Sequence, residues 1–137
     1  MNVFLSKSLK ETRNFAKNFA KNLKSGQIFA LIGEVGCGKT EFVRGVLEEL
    51  SPQTSVSSPT FSIVNDYQTP NFTIYHFDFY RIKNTAELFE TGFEEYLSKD
   101  AVVFIEWADM YPEALPARCK TVKFEAVGKN SRKITFF

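Results

Sequence analysis

Two amphipathic patterns along the chain predict helices. The first begins at Ser8 and Glu11, a spacing typical of an N-terminal capping box, and ends near Gly26. Its apolar positions recur at helical spacing and are Phe15, Ala16, Phe19, Ala20 and Leu23. The second pattern starts after Thr40, with apolar positions at Phe42, Val43, Val46, Leu47 and Leu50. A third helical stretch, residues 85–97, is predicted to be interrupted at Gly92.

Short apolar runs and alternating segments predict strands. Residues 28–32 and 101–105 are continuous apolar runs of a length typical of buried parallel strands. More polar strand candidates surround them, at residues 3–5, 61–67, 72–79, 118–126 and 132–137. Turns are predicted at residues 68–71 and 128–130, and loops at 51–60 and 108–118.

Composition narrows the class of protein. The chain has 137 residues, 44% of them hydrophobic and 15 of them phenylalanine, so we expect one domain, residues 1–137, with a packed core. A net charge of +1 does not favour a broad nucleic-acid or membrane footprint. The sequence has no signal-peptide pattern, no apolar run of about 18 residues, and two cysteines that form no framework. We therefore expect a cytoplasmic protein without membrane contact.

The main chemical motif is the segment Gly33-Glu34-Val35-Gly36-Cys37-Gly38-Lys39-Thr40, which matches a complete phosphate-binding loop, G-x-x-x-x-G-K-[ST]. It lies between a predicted strand and a predicted helix, so the helix N-terminus would point at the bound anion. In such loops the backbone cradles phosphate oxygens, the lysine reaches the outer phosphates and the hydroxyl ligates Mg²⁺. The motif predicts a nucleotide site.

Two carboxylates are candidates for holding the metal ion. Glu106 directly follows the apolar run that ends at Ile105, and ligands of open α/β sheets bind beyond the carboxyl ends of the strands. Asp78 is the second candidate, because strand alternation places it with His76 and Tyr80, opposite an aromatic face of Tyr75, Phe77 and Phe79. By itself, His76 is more typical of a hydrogen-bonded structural residue than of a ligand. Trp107, the only tryptophan, is either a core residue or part of the site lining.

Taken together, these motifs resemble one family. The phosphate loop is followed by Ser58-Pro59-Thr60-Phe61, then by His76-Phe77-Asp78-Phe79-Tyr80-Arg81, and then by Ile105-Glu106-Trp107. This order is similar to that of the TsaE (YjeE) family of small bacterial ATPases, over about residues 6–134. The resemblance implies an α/β fold of the phosphate-loop NTPase type. It would have three layers and a central, mainly parallel sheet, flanked by helices and antiparallel edge hairpins.

The resemblance also implies a function. It predicts an ATPase, weak alone, that uses ATP and Mg²⁺ and supports threonylcarbamoyladenosine formation on tRNA. It would act together with the TsaB and TsaD proteins, and tRNA would be reached only through that complex.

Residue roles follow from the same resemblance. Lys39, Asp78 and Glu106 would be catalytic, and Thr40, Asp78 and Glu106 would hold the metal. The expected nucleotide contacts are Glu34, Val35, Gly36, Cys37, Gly38, Lys39, Thr40, Trp107 and Arg132. Residues 6–8 and Arg132 would lie near the base.

The chain departs from its relatives inside and beside the loop. Glu34 and Val35 replace the usual Asp and Leu, Cys37 replaces Ala, and Glu41 replaces Thr. Glu41 favours a helix N-terminus but adds negative charge beside the proposed phosphate site. Two other functions stay open at this point: a small phosphate-loop kinase of a metabolite or nucleotide, and a nucleotide-gated binding module with negligible turnover.

Overall fold

The computed structural model describes residues 2–34, 38–51, 63–97 and 100–137. Within these ranges seven strands form one sheet, together with four α-helices and three short 3₁₀ helices. The strands are β1 (Asn2–Ser6), β2 (Ile28–Ile32), β3 (Val64–Gln68), β4 (Thr73–Asp78), β5 (Ala101–Glu106), β6 (Lys120–Ala126) and β7 (Arg132–Phe136). The α-helices are α1 (Leu9–Ala20), α2 (Lys39–Leu50), α3 (Thr85–Glu90) and α4 (Phe93–Tyr96).

The sheet has a parallel centre and antiparallel edges. The strand order is β1-β7-β6-β2-β5-β4-β3. The four strands β6, β2, β5 and β4 run parallel to one another, whereas the β3–β4, β6–β7 and β1–β7 pairs are antiparallel. The predicted α/β class, with a parallel centre and edge hairpins, is confirmed.

Helices cover both faces of the sheet. Side chains alternate between the faces along each central strand, so each of these strands contributes apolar residues to both faces. On β2, Phe29 and Leu31 join a buried cluster with α1 and α2 residues, while Ile28 and Ala30 join the cluster of α3 and α4. All six residues of β5 are buried, as expected for a strand enclosed between two layers of helices.

Three elements differ from the sequence prediction. Helix α1 ends at Ala20 rather than near Gly26, because the chain turns there and the Gly26 N–H donates to the Ala101 carbonyl beside β2. Strand β4 ends at Asp78, whose side chain accepts a hydrogen bond from the Tyr80 N–H at 2.9 Å and starts a 3₁₀ turn. The predicted loop at 108–118 contains two 3₁₀ helices, Ala108–Met110 and Pro112–Ala114. The predicted loop at 51–60 lies, after Ser51, outside the described residues.

The other boundaries agree well with the prediction. The break in the third helical stretch lies at Gly92, which has a φ of 75° and separates α3 from α4. The Ser8 hydroxyl caps α1 by accepting from the Glu11 N–H at 3.1 Å, while the Glu11 carboxylate accepts from the Lys7 N–H instead of the Ser8 N–H. None of the helices in the described ranges combines the length and the apolar character needed to cross a membrane.

The contact between α1 and α2 depends on a glycine. A Cβ atom on Gly45 would lie 2.6 Å from the Ala16 Cβ and 2.7 Å from the Arg13 carbonyl oxygen. We expect Gly45→Ala to lower the free energy of unfolding by about 1–3 kcal/mol, as for other overpacked cores. Part of the clash is offset by the helix propensity of alanine, worth about 1 kcal/mol.

Urea unfolding of Gly45→Ala beside Gly128→Ala measures this loss. Gly128 is a suitable control, because the nearest atom to its added Cβ lies at an ordinary 3.6 Å. Equal free energies of unfolding for the two variants would contradict this prediction, because they would show that α1 and α2 accommodate the added methyl group without loss of stability.

Candidate functional site

The strand arrangement places the candidate residues at one edge of the sheet. β2, β4 and β5 are parallel, so their carboxyl ends lie together, and Asp78 and Glu106 are register partners at the ends of β4 and β5. The segment after β2 leads from Gly33 to Lys39, the first residue of α2, at this same edge. The three predicted catalytic residues are therefore brought together by the fold.

The start of α2 is open at its N-terminus. Its N-cap residue is Gly38, with a φ of 101°, which has no side chain to cap the helix. Glycine tolerates this left-handed conformation, and the first N–H groups of a helix favour an anion. Gly38 thus fits its predicted role, whereas Val35, Gly36 and Cys37 lie outside the described residues. Glu34 is exposed beyond the end of β2.

Lys39 is buried, with 4% of its surface exposed, although it carries a charge. Its ammonium group donates to the Gly33 carbonyl and lies 4.0 Å from the centre of the Trp107 ring. A carbonyl and an aromatic face both stabilise a cation that is withdrawn from water. The Lys39 ammonium group is consequently held between the Gly33 carbonyl and the Trp107 ring.

Trp107 has the only left-handed conformation of a non-glycine residue in the described ranges, with a φ of 59°. Such a conformation costs about 1–3 kcal/mol and is commonly found at functional sites. The ring packs partly on the core and lies 5.0 Å from the Tyr80 ring. Both alternatives from the sequence therefore apply, because Trp107 packs on the core and also contacts Lys39.

Glu106 is the most enclosed carboxylate of the site, with 5% of its surface exposed. Its Oε2 atom lies 2.5 Å from His76 Nε2 and accepts a hydrogen bond from the Thr40 hydroxyl at 3.3 Å. A buried carboxylate is stable only with such partners. Thr40 and Glu106, both expected to hold the metal, are thus in contact with each other, and His76 contacts the same carboxylate oxygen.

Asp78 is half-buried beside Glu106. Burial is the main cause that raises the pKa of Asp78 above its usual value, and the charge of Glu106 adds to it. The hydrogen bond from the Tyr80 N–H and the nearby His76 and Lys39 act in the opposite direction. Asp78, with its raised pKa, and the neighbouring Glu106 form a region in which a cation would be favourable.

The donors at this edge fit a magnesium ion. They are the Thr40 hydroxyl and the carboxylates of Asp78 and Glu106, all oxygen ligands of the kind that Mg²⁺ prefers. No group of three or more His, Cys, Asp or Glu side chains suited to a metal occurs in the described part of the chain. Magnesium at nucleotide sites takes one or two carboxylates, with phosphate and water completing its shell, so this set is compatible with it.

The topology also brings the last hairpin to this edge. β7 runs antiparallel to β6 and β1, so Arg132 at its start pairs with Ser6 at the end of β1, on the side of the sheet where β2 ends. The Ser6 hydroxyl is 2.7 Å from the Thr12 hydroxyl, and the Thr12 methyl lies 3.9 Å from the Cβ position of Gly38. The expected base-proximal residues are thus near the start of α2.

Glu41, which stands where the resemblance leads us to expect Thr, is paired with two arginines. Its carboxylate pairs with Arg44 in the same helix and with Arg13 of α1 at 3.4 Å. These contacts hold the charge against α1, which reduces its effect on an anion at the start of α2.

Comparison with known proteins identifies the family of the chain. The model of the family described as "Threonylcarbamoyl adenosine biosynthesis protein TsaE" matches residues 6–134. The chain belongs to the TsaE family. Its relatives include proteins named tRNA threonylcarbamoyladenosine biosynthesis protein TsaE. The one from Rickettsia typhi is 43% identical over 126 residues, which cover 91% of this chain and 87% of the relative. The one from Bacillus subtilis is 36% identical, covering 92% of this chain and 78% of the relative.

A solved structure has the same fold. The crystal structure of Bacillus subtilis YdiB superposes with a TM-score of 0.83 and 30% sequence identity, over 98% of this chain and 83% of that one. The resemblance seen in the motifs is therefore confirmed along nearly the whole chain.

One residue beside the site, Thr12, and one contact of a residue already named, Tyr80, did not follow from the sequence. Thr12 was not among the candidate residues, although it lies four residues before Ala16, a spacing that places it on the buried face of α1. The tilted contact between the Tyr80 and Trp107 rings had no sequence signal, because strand alternation was extended past Asp78, where the strand ends.

The raised pKa of Asp78 has a consequence for stability. A carboxyl whose pKa is raised by folding lowers the stability of the folded state as pH rises from the unfolded value of 3.8 to the raised pKa; the cost is complete above the raised pKa and absent below 3.8. We expect Asp78→Asn to increase the free energy of unfolding at pH 7, since Asn can still accept from the Tyr80 N–H. The gain should shrink as pH falls toward 3.8.

Urea unfolding of the parent and Asp78→Asn at several pH values tests this expectation. The exposed Asp66→Asn is the control, and it should change stability by less than about 0.5 kcal/mol. A loss of stability in Asp78→Asn at pH 7 would contradict the proposed balance of burial and charge.

Proposed function

We propose that the chain has a fold of the phosphate-loop NTPase type. We propose that it binds ATP with Mg²⁺ at the carboxyl edge of the sheet and hydrolyses the ATP. The observation that carries the proposal is the start of α2. There the helix N-terminus at Gly38, the buried Lys39 and the Thr40–Glu106 hydrogen bond converge. Each group has a counterpart on a magnesium–nucleotide complex: backbone N–H groups and lysine for phosphate, hydroxyl and carboxylate for the cation.

The roles of the side chains follow from their chemistry. Lys39 would exchange its contact with the Gly33 carbonyl for phosphate oxygens, which are stronger acceptors because they are charged. Thr40 and Glu106 would hold the cation, which neutralises developing phosphate charge. Asp78, next to Glu106, would hold a water or the cation itself. Trp107 would lie beside the nucleotide, because it already contacts Lys39.

The biological role follows from the family. Its relatives are named for the biosynthesis of threonylcarbamoyladenosine in tRNA, and we assign the same process to this chain. With a net charge of +1, the chain has only a weak electrostatic attraction to tRNA, so we infer that it acts through protein partners. The partners we propose are TsaB and TsaD, with weak ATP hydrolysis by the chain alone and faster turnover in their presence.

Lys39→Ala should weaken ATP binding. The variant loses a charge-assisted contact to phosphate, worth about 1.5–3 kcal/mol, which corresponds to a decrease in affinity of about ten- to a hundredfold. Titration of Mg²⁺–ATP, followed by calorimetry and by the fluorescence of Trp107, measures the change. Lys120→Ala is the matched control, because this exposed lysine begins β6 at the opposite end of the parallel strands. Equal affinities of the parent and Lys39→Ala would refute the nucleotide site.

Depletion of the protein in its host should lower threonylcarbamoyladenosine in total tRNA. Rescue by the parent gene or by Lys120→Ala should restore the nucleoside, whereas Lys39→Ala should not, since the step is proposed to need bound ATP. Nucleoside analysis of digested tRNA by mass spectrometry gives the readout. Normal modification during depletion, or complete rescue by Lys39→Ala, would overturn the assigned process and leave the nucleotide site to be judged by binding alone.

A further inference from the structure

His76 is the one histidine of the chain and is completely buried, with 0% of its surface exposed. It lies on β4 two residues before Asp78, on the face of the sheet that α2 covers. Its Nε2 atom is 2.5 Å from Glu106 Oε2, a shorter contact than the 3.3 Å from the Thr40 hydroxyl to the same oxygen. The shorter of these two contacts of Glu106 is therefore made by His76, a residue to which the proposed function assigns no role.

The direction of this hydrogen bond follows from the partners. An ionised carboxylate can only accept, so the proton of the contact lies on His76 Nε2. The other ring nitrogen, Nδ1, is buried and finds no hydrogen-bond partner among the described residues. The only hydrogen bond of the imidazole within the described residues is thus the one to Glu106.

The same geometry makes the two carboxylate oxygens of Glu106 different from each other. Within the described ranges, both hydrogen bonds of Glu106 fall on Oε2. An oxygen that accepts two hydrogen bonds is poorly placed to give up electron density to a cation, whereas Oε1 keeps its lone pairs for that purpose. Fixing Oε2 also removes rotational freedom from the carboxylate, a freedom that a cation would otherwise have to restrict on binding.

We propose that His76 is a positioning residue for the metal ion: its Nε2–H holds Glu106 Oε2 so that Oε1 is left for Mg²⁺ or a water bound to it. The proposal rests on the proposed binding of Mg²⁺–ATP. It assigns His76 a part in the affinity for the cation, beyond filling the core. Outer partners of metal ligands contribute about ten- to a hundredfold to metal affinity in other proteins.

The test separates the metal from the nucleotide. The affinity for ATP is measured by calorimetry with saturating Mg²⁺ and again in excess chelator, and the ratio of the two affinities gives the contribution of the cation. His76→Phe keeps a planar ring without the donor. We expect it to lower this ratio by up to about ten- to a hundredfold, towards the value of Glu106→Gln, while binding in chelator stays unchanged. His76→Gln, whose amide can occupy the Nε2 position, should retain the ratio of the parent.

Two further variants exclude a general effect on the fold. Tyr111→Phe removes another buried hydrogen bond, from the tyrosine hydroxyl to the Ile82 carbonyl, in the cluster on the opposite face of the sheet. It should leave the ratio unchanged even if it unfolds at a lower temperature. The double variant His76→Phe with Glu106→Gln should show the same ratio as Glu106→Gln alone, because His76 is proposed to act through that carboxylate.

The outcomes distinguish this inference from the proposed function. If the parent fails to bind ATP, or binds it equally with and without Mg²⁺, the function itself is wrong. If the parent depends on Mg²⁺ and His76→Phe keeps the ratio, or weakens binding equally in chelator, the positioning role is wrong. Should His76→Phe fail to fold, His76→Asn replaces it, since its shorter amide cannot reach Glu106. Equal ratios for the Asn and Gln variants would then overturn the proposal.

Discussion

The placement of every site residue depends on the pairing of β5 between β2 and β4. β5 is buried along its whole length, so its register with both neighbours is fixed by side chains on two faces at once. A shift by one residue would turn Glu106 from the α2 face to the α3 face and would bury the wrong side chains throughout the strand. The apolar packing of the sheet centre thus determines where a single carboxylate points.

That carboxylate is stable because the site supplies donors for it. An enclosed charge without partners costs several kcal/mol, by order of magnitude, and Glu106 avoids this cost through His76 and Thr40. Lys39 is accommodated in the same way by a carbonyl and an aromatic ring. Asp78, whose pKa is raised by burial, is the group that remains unfavourable in its charged form. Perturbed pKa values of this kind are common at functional sites, and a bound cation would stabilise the charged form of the carboxylate.

The fold was largely predictable from the sequence because its central elements obey simple periodicities. Continuous apolar runs marked β2 and β5, and helical spacing marked α1 and α2. The errors lie at element ends, where one local contact outweighs the pattern. The Asp78 side chain starts a 3₁₀ turn and ends β4, and the chain leaves α1 early because it must reach the start of β2 beside Ala101.

The sequence by itself determined the types of group at the site, since a phosphate loop and a carboxylate after an apolar strand are local features that need no knowledge of distant residues. It also indicated the family, which the comparison with known proteins confirmed. Only the tertiary structure decided which of these groups touch. The contact of His76 with Glu106 joins residues 30 positions apart, and that of Thr40 with Glu106 joins residues 66 positions apart. Contacts of this kind depend on strand order and register, which arise from the packing of the whole sheet and leave no trace in the residues nearby.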